Sequence, residues 1–259
     1  MLELTPLMTN GAQVIEYQPE NWRLTIPAGG MKEYRLAQLD DYLSRSRRNL
    51  FWQPPLYVNL EARLSTQELY GTWGFGLWND PFSANLGLGG MARRLPALPD
   101  TAWFFYASPP NYLALQDDHP AQGMLAATFS APRLPFWLLA LGVPVVPFLA
   151  VPFIARGIRQ AARLLVKESA RKLELDLTIW HSYRLEWLPD EVHFFVDGIN
   201  VFSTPISPVG PLGLVLWIDN QYAAFTPDGR FRTGTLASPE PAWMELRNIS
   251  IDRLIDTKT

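Results

Sequence analysis

Apolar and polar positions alternate with period two along most of this chain, and two segments carry the same version of that alternation. Gly74-Phe75-Gly76-Leu77-Trp78-Asn79-Asp80 and Gly213-Leu214-Val215-Leu216-Trp217-Ile218-Asp219 each read as a strand with two unlike faces. Successive side chains on a strand point to opposite sides. Gly74, Gly76, Trp78 and Asp80 therefore share one face of the first segment, opposite Trp73, Phe75 and Leu77. In the second, Gly213, Val215, Trp217 and Asp219 oppose Leu212, Leu214, Leu216 and Ile218. One face is hydrocarbon for a core, and the other is a floor of small residues ending in an indole and a carboxylate. Such a floor suits a ligand with apolar faces and hydroxyls, such as a sugar. The competing reading is that both tryptophans cap the core and both aspartates start turns.

The same periodicity predicts strands over 22–26, 32–36, 56–64, 72–78, 102–106, 123–129, 173–179, 181–187, 191–196, 199–202, 213–218 and 243–251. Asp197-Gly198 is the strongest hairpin signal, because that pair tolerates the positive φ angles of a tight two-residue turn. Many short strands with little helix predict two packed antiparallel sheets. The order and spacing suit a single β-sandwich domain over 1–259 with an insertion at 131–172.

Composition sharpens this. Among 259 residues are ten Trp and 23 Pro, aromatics reach 13% and charged residues only 18%. Aromatic, proline-punctuated segments favour strands over helices. A net charge of −3 argues against a nucleic-acid partner. The absence of cysteine removes disulfides, thiolate metal sites and a cysteine nucleophile. His119, His181 and His193 lack metal-ligand spacing, so no metal is predicted. No basic start followed by an apolar run opens the chain, which reads as cytoplasmic.

The stretch Trp180-His181-Ser182-Tyr183-Arg184-Leu185-Glu186-Trp187, followed by Pro189-Asp190 and Phe194-Phe195-Val196-Asp197-Gly198, resembles a signature of glycoside hydrolase family 16. In that family a W-H-x-Y-x-x-E-W strand leads into a hairpin ending in V-D-G. Residues 71–78 resemble its Trp-rich strand and 243–251 its closing strand. The resemblance covers about 20–130 and 173–255, and implies the concanavalin A-like jelly roll, an all-β sandwich of two antiparallel sheets. It also implies where catalytic acids belong, as E-x-D-x-E or E-x-D-x-x-E on the strand after the Trp-rich one. Here that strand is Thr101-Ala102-Trp103-Phe104-Phe105-Tyr106-Ala107-Ser108, without an acid. A retaining glycosidase needs two carboxyls about 5–5.5 Å apart. The reading is thus of a non-catalytic carbohydrate- or glycolipid-binding sandwich. Its candidate ligand residues are Trp78, Asp80, Trp103, Tyr106, Trp217, Asp219 and Asn220. Trp103 and Tyr106 cannot share a face of one regular strand, and the sequence does not choose between the Trp103/Phe105 and Phe104/Tyr106 faces. The alternative is an atypical glycoside hydrolase with Asp80 and Asp219 facing one another across the groove, at the wider spacing of about 6.5–9.5 Å that suits inversion. No cofactor is implied beyond the structural calcium that some members of this fold carry.

The insertion is the other unusual feature. Residues 134–155 are 22 in succession without a charge, including Phe136, Trp137, Leu138, Phe148 and Phe153. Flanking strands of one sandwich exclude a single membrane crossing, and prolines 135, 144, 147 and 152 break a continuous helix. Arg156, Arg159, Arg163, Lys167 and Arg171 then recur every three or four residues, predicting a basic helical stripe. Residues 156–172 carry +5, leaving −8 on the remainder. The pattern predicts an anionic membrane surface as partner, a homo-oligomer contact through 134–155, or a lid on the sandwich itself. A third functional reading follows, a membrane-associated scaffold that binds no sugar.

Overall fold

In the computed structural model, residues 2–81, 97–134 and 149–254 are described, and they form two seven-stranded antiparallel sheets packed face to face. One sheet has the order β1 (Thr5–Met8), β4 (Leu36–Asp40), β13 (Gly213–Asp219), β6 (Thr72–Trp78), β7 (Thr101–Ala107), β8 (Gly123–Ser130) and β9 (Lys167–Leu173). The other runs β12 (Ile199–Thr204), β11 (Val192–Val196), β10 (His181–Trp187), β5 (Leu56–Leu64), β16 (Ala242–Arg253), β3 (Asn21–Ile26) and β2 (Gln13–Gln18). A separate hairpin joins β14 (Gln221–Phe225) to β15 (Phe231–Thr235), and helix α1 spans Pro152–Leu165. This is the concanavalin A-like jelly-roll sandwich.

Period-two patterning produces the sandwich. Along β5 burial alternates residue by residue, with Leu56, Val58, Leu60, Ala62 and Leu64 turned into the core. Trp73, Phe75 and Leu77 of β6 and Leu214, Leu216 and Ile218 of β13 meet the side chains of the opposite sheet. Tyr183 inserts edge-on against Phe75 and Phe104, each 5.0 Å away between ring centroids. Such offset and edge-to-face pairs add stabilisation beyond the area they bury. Asp197 and Gly198 turn with φ of 50° and 77°, directly pairing Val196 with Ile199. His181 ties that turn down, contacting Asp197 at 2.6 Å and the Asp176 carbonyl at 2.9 Å, a structural role.

Several expectations shift. The strand expected over 173–179 is instead Lys167–Leu173, and that expected over 32–36 lies at Leu36–Asp40. The basic stripe is correspondingly broken. Lys167 and Arg171 do not lie on the helix but on β9, because the chain turns at Val166 and pairs with β8 from Ser130 to Met124. β1, β2, β14 and β15 were not expected at all. Phe136, Trp137, Leu138 and Phe148 lie outside the described residues. No helix among the described residues is long and apolar enough to cross a membrane.

Candidate functional site

The glycine-rich faces of β6 and β13 do lie side by side, away from the core, but not bare. Gly74 has no side chain because Trp217 lies over it: a Cβ there would sit 2.7 Å from the indole and 2.5 Å from the Phe104 carbonyl oxygen. At Gly213 the Tyr42 ring occupies the same kind of space, 2.5 Å from where a Cβ would be. The glycines thus let aromatic rings pack close against the sheet. Trp217 stacks with Trp78 at 6.2 Å and 7° between planes, and with Phe105 at 5.8 Å and 27°. Trp103 stacks on Phe105 at 5.2 Å. The Trp103/Phe105 face of β7 therefore lines the groove. Tyr106 is on the other face, packed in the core and stacked on Trp73 at 6.1 Å, so it leaves the candidate ligand set.

Above this floor is a roof the sequence reading assigned to none of its strands. The strap 111–117 carries Leu113 and Leu115 over the groove and holds both roof elements. It bonds the β14–β15 hairpin through Tyr112 N–H to the Ala223 carbonyl (2.9 Å) and Phe225 N–H to the Tyr112 carbonyl (2.8 Å). It holds α1 through Arg159, which donates to the Ala114 carbonyl (2.8 Å) and Asp117 (2.6 Å), while Arg163 also pairs with Asp117 (2.6 Å). Arg159 is only 2% exposed, its guanidinium lying between the Tyr112 and Phe225 rings at 5.7 and 5.8 Å. The inward side of the basic stripe is therefore consumed by the sandwich rather than offered to solvent. Between floor and roof is a cavity of about 290 Å³, lined predominantly by apolar atoms, with Ala162 and Val166 contributed by α1 and the residue after it. That is near the lower end of the size usual for small-molecule sites, about 300–1,000 Å³.

The candidate polar residues divide. Asp219 lines the cavity, but its carboxylate is already surrounded. Thr72 donates through its hydroxyl (2.7 Å) and N–H (3.2 Å), with further bonds from the Tyr34 hydroxyl and Gln221 N–H, both at 3.2 Å. Trp217 completes the chain, its indole N–H donating to the Thr72 hydroxyl at 2.9 Å. Asn220 is withdrawn from the ligand set. It is fully buried, accepts from Arg35 N–H (2.8 Å) and donates to the carbonyls of Glu33 and Leu236, clamping the end of β13. Asp80 lines the cavity with a left-handed φ of 52°. It does not face Asp219. The strands are antiparallel, so Trp78 pairs with Gly213 while Asp219 pairs with Thr72. Six residues of strand put those ends about 20 Å apart, well outside either glycosidase spacing. Sequence patterning saw the equivalence of the two strands but not their opposed directions. Among the described residues no cluster of three or more His, Asp or Glu is placed to hold a metal ion.

Burial pushes Asp219 up to about 6 against the hydrogen bonds it accepts, and it does the same to Asp41, also to about 6. Burial likewise raises Asp100 and Glu168. A carboxyl whose folded pKa exceeds its unfolded value makes the folded state bind the proton more tightly. Its ionisation then costs stability as pH rises from about 4 to about 6. Thermal melts are expected to fall as pH rises from about 4 to about 6, and Asp219→Asn should flatten that limb. An unchanged slope in the variant would remove Asp219 as its source.

No family model and no curated protein matches this sequence. Similar solved structures include a kappa-carrageenase from Zobellia galactanivorans, with TM-score 0.50 and 13% identity over 91% of this chain and 79% of that one. A legume lectin-like domain from Entamoeba histolytica aligns at TM-score 0.49 and 9% identity, covering 96% and 90%. A glycoside hydrolase family protein from Mycobacterium thermorestibile aligns at 0.47 and 13%, covering 90% and 76%. At such identities the likeness is one of fold alone.

Proposed function

We propose that this protein binds, without cleaving, an amphiphilic ligand of the glycolipid class in the roofed groove. The observation that carries the reading is the aromatic floor of Trp78, Trp103, Phe105 and Trp217 facing a small, mostly apolar cavity. Flat aromatic faces suit the C–H faces of a sugar ring and the side of a hydrocarbon chain alike. A polysaccharide cleft lies open along its length, whereas this one is covered by α1 and β14–β15. The ligand's apolar part lies between floor and roof, and its hydroxyls reach the polar end where Tyr34 and Gln221 line the cavity. A β7 without an acid, and Asp80 and Asp219 at opposite strand ends, support a reading without turnover.

A panel of short-chain glycolipids and the matching free glycans, screened by native mass spectrometry, tests this. Glycolipids are expected to bind, Trp217→Phe to weaken them at least tenfold (about 1.4 kcal/mol), and no glycan product to form. Binding of free glycans with equal strength, or release of a shortened sugar, would overturn the reading.

A further inference from the structure

Helix α1 is built the reverse of an ordinary surface helix. Its charged side chains Arg159 and Arg163 point inward to Asp117, beside Ala155 and Ala162. Its apolar side chains point out: Phe153 is 81% and Leu164 89% exposed, the two most exposed large apolar side chains among the described residues. At about 100° per residue, Phe153, Gly157, Ala161 and Leu164 fall within one narrow arc, with Gln160 at its border. Val151, Ile154 and Leu165 extend the exposed apolar surface at both ends of the helix.

We propose that this outward face of α1 docks on an anionic lipid bilayer. The inference goes beyond the groove reading and holds whatever the groove contains. A contiguous apolar face in water marks a contact surface, and three observations choose the contact. In the sequence, the residues from 134 up to the exposed N-terminal turn of the helix carry no charge. Arg156, exposed on the helix, borders this face, and Lys167, Arg171 and Lys172 are exposed on the strand that follows the helix in the chain. The +5 of residues 156–172 stands against −8 elsewhere, so an isologous dimer through α1 would set two basic patches together. An anionic surface instead attracts them, at about 1 kcal/mol per basic side chain. The other side of the same helix roofs the cavity, so a docked helix would set the groove next to the membrane surface.

Co-sedimentation of the full chain with vesicles tests the proposal. One set is phosphatidylcholine alone and the other an equimolar mixture with phosphatidylserine. The wild type is expected to sediment with the mixed vesicles and less with phosphatidylcholine, and to release as salt rises. Phe153→Ser/Leu164→Ser, at two largely exposed positions, should fold normally by thermal melt and bind at least tenfold more weakly. Lys167→Glu/Arg171→Glu should lose only the preference for the anionic vesicles. A wild type that stays in the supernatant, or a serine variant that sediments equally, would overturn the proposal. So would a wild-type dimer that the serine variant converts to monomer, since the face would then be a subunit interface. Glycolipid binding by native mass spectrometry, which needs no bilayer, reports on the groove separately.

Discussion

Arg159→Ala is expected to lower stability by about 1–3 kcal/mol and to unroof the groove. The basis is the side chain's position: it sits fully buried between Tyr112 and Phe225 and links α1 to the strap beneath it through the Ala114 carbonyl and Asp117. Asp117 is about half exposed and keeps its pair with Arg163, so the loss comes chiefly from the space left unfilled between the two rings and from buried groups that lose a partner. Two such groups are affected. The Ala114 carbonyl is left without its donor, and Glu168, buried and bonded to the N–H groups of Leu115 and Gln116 at 2.8 Å each, loses a nearby cation. Limited proteolysis should then cut near 152–165 in the variant and not in the wild type, and hydrogen exchange should rise in α1 and β14–β15 together. Arg159→Met separates charge from volume: it keeps the aromatic contacts and removes the ion pair, and should recover part of the loss. A melt unchanged by Arg159→Ala would mean that the helix is held by other contacts.

The fold was readable where one face of a strand meets only core. β5 and β6 appear at their full extents because Leu, Val, Trp and Phe repeat every second residue there. The Asp197-Gly198 turn likewise follows from its own chemistry. Of the site, Trp78, Trp217 and Asp219 were legible, since a strand's alternation assigns them to the non-core side, whereas β7 is apolar on both faces and left Trp103 and Tyr106 undivided. What escaped was everything set by long-range geometry. Lys-Glu-Ser-Ala-Arg-Lys-Leu has helix-compatible residues and many charges, yet it is an edge strand with one paired side and one free side, so charge is tolerated there. β14 and β15 have weak alternation because they pack on a strap rather than in the sandwich. Tyr34 and Thr72 reach Asp219 only through sheet neighbours distant in sequence, 185 and 147 residues away. The direction of β13 against β6, which separates Asp80 from Asp219, is a property of topology and leaves no mark on either segment.

Gly74→Val is the sharpest test of the aromatic floor. A side chain at this position meets a backbone atom and a ring at once: the Phe104 carbonyl oxygen at 2.5 Å and the Trp217 indole at 2.7 Å. The carbonyl belongs to β7, hydrogen-bonded on both sides to β6 and β8, so it has little freedom to retreat. The indole moves instead, breaking its stack on Trp78 and its bond to the Thr72 hydroxyl. Overpacking of this kind costs about 3 kcal/mol or more where backbone cannot yield. The expected result is a large drop in melting temperature, a changed near-ultraviolet circular dichroism signal from the tryptophan cluster, and loss of groove ligand. Combining the change with Trp217→Leu removes the ring that must move. The double variant is then expected to be less destabilised than the sum of the two single variants, a coupling of the size seen between residues in contact, about 0.5–3 kcal/mol. Simple additivity would place Trp217 clear of Gly74, and the aromatic floor would have to be abandoned with it.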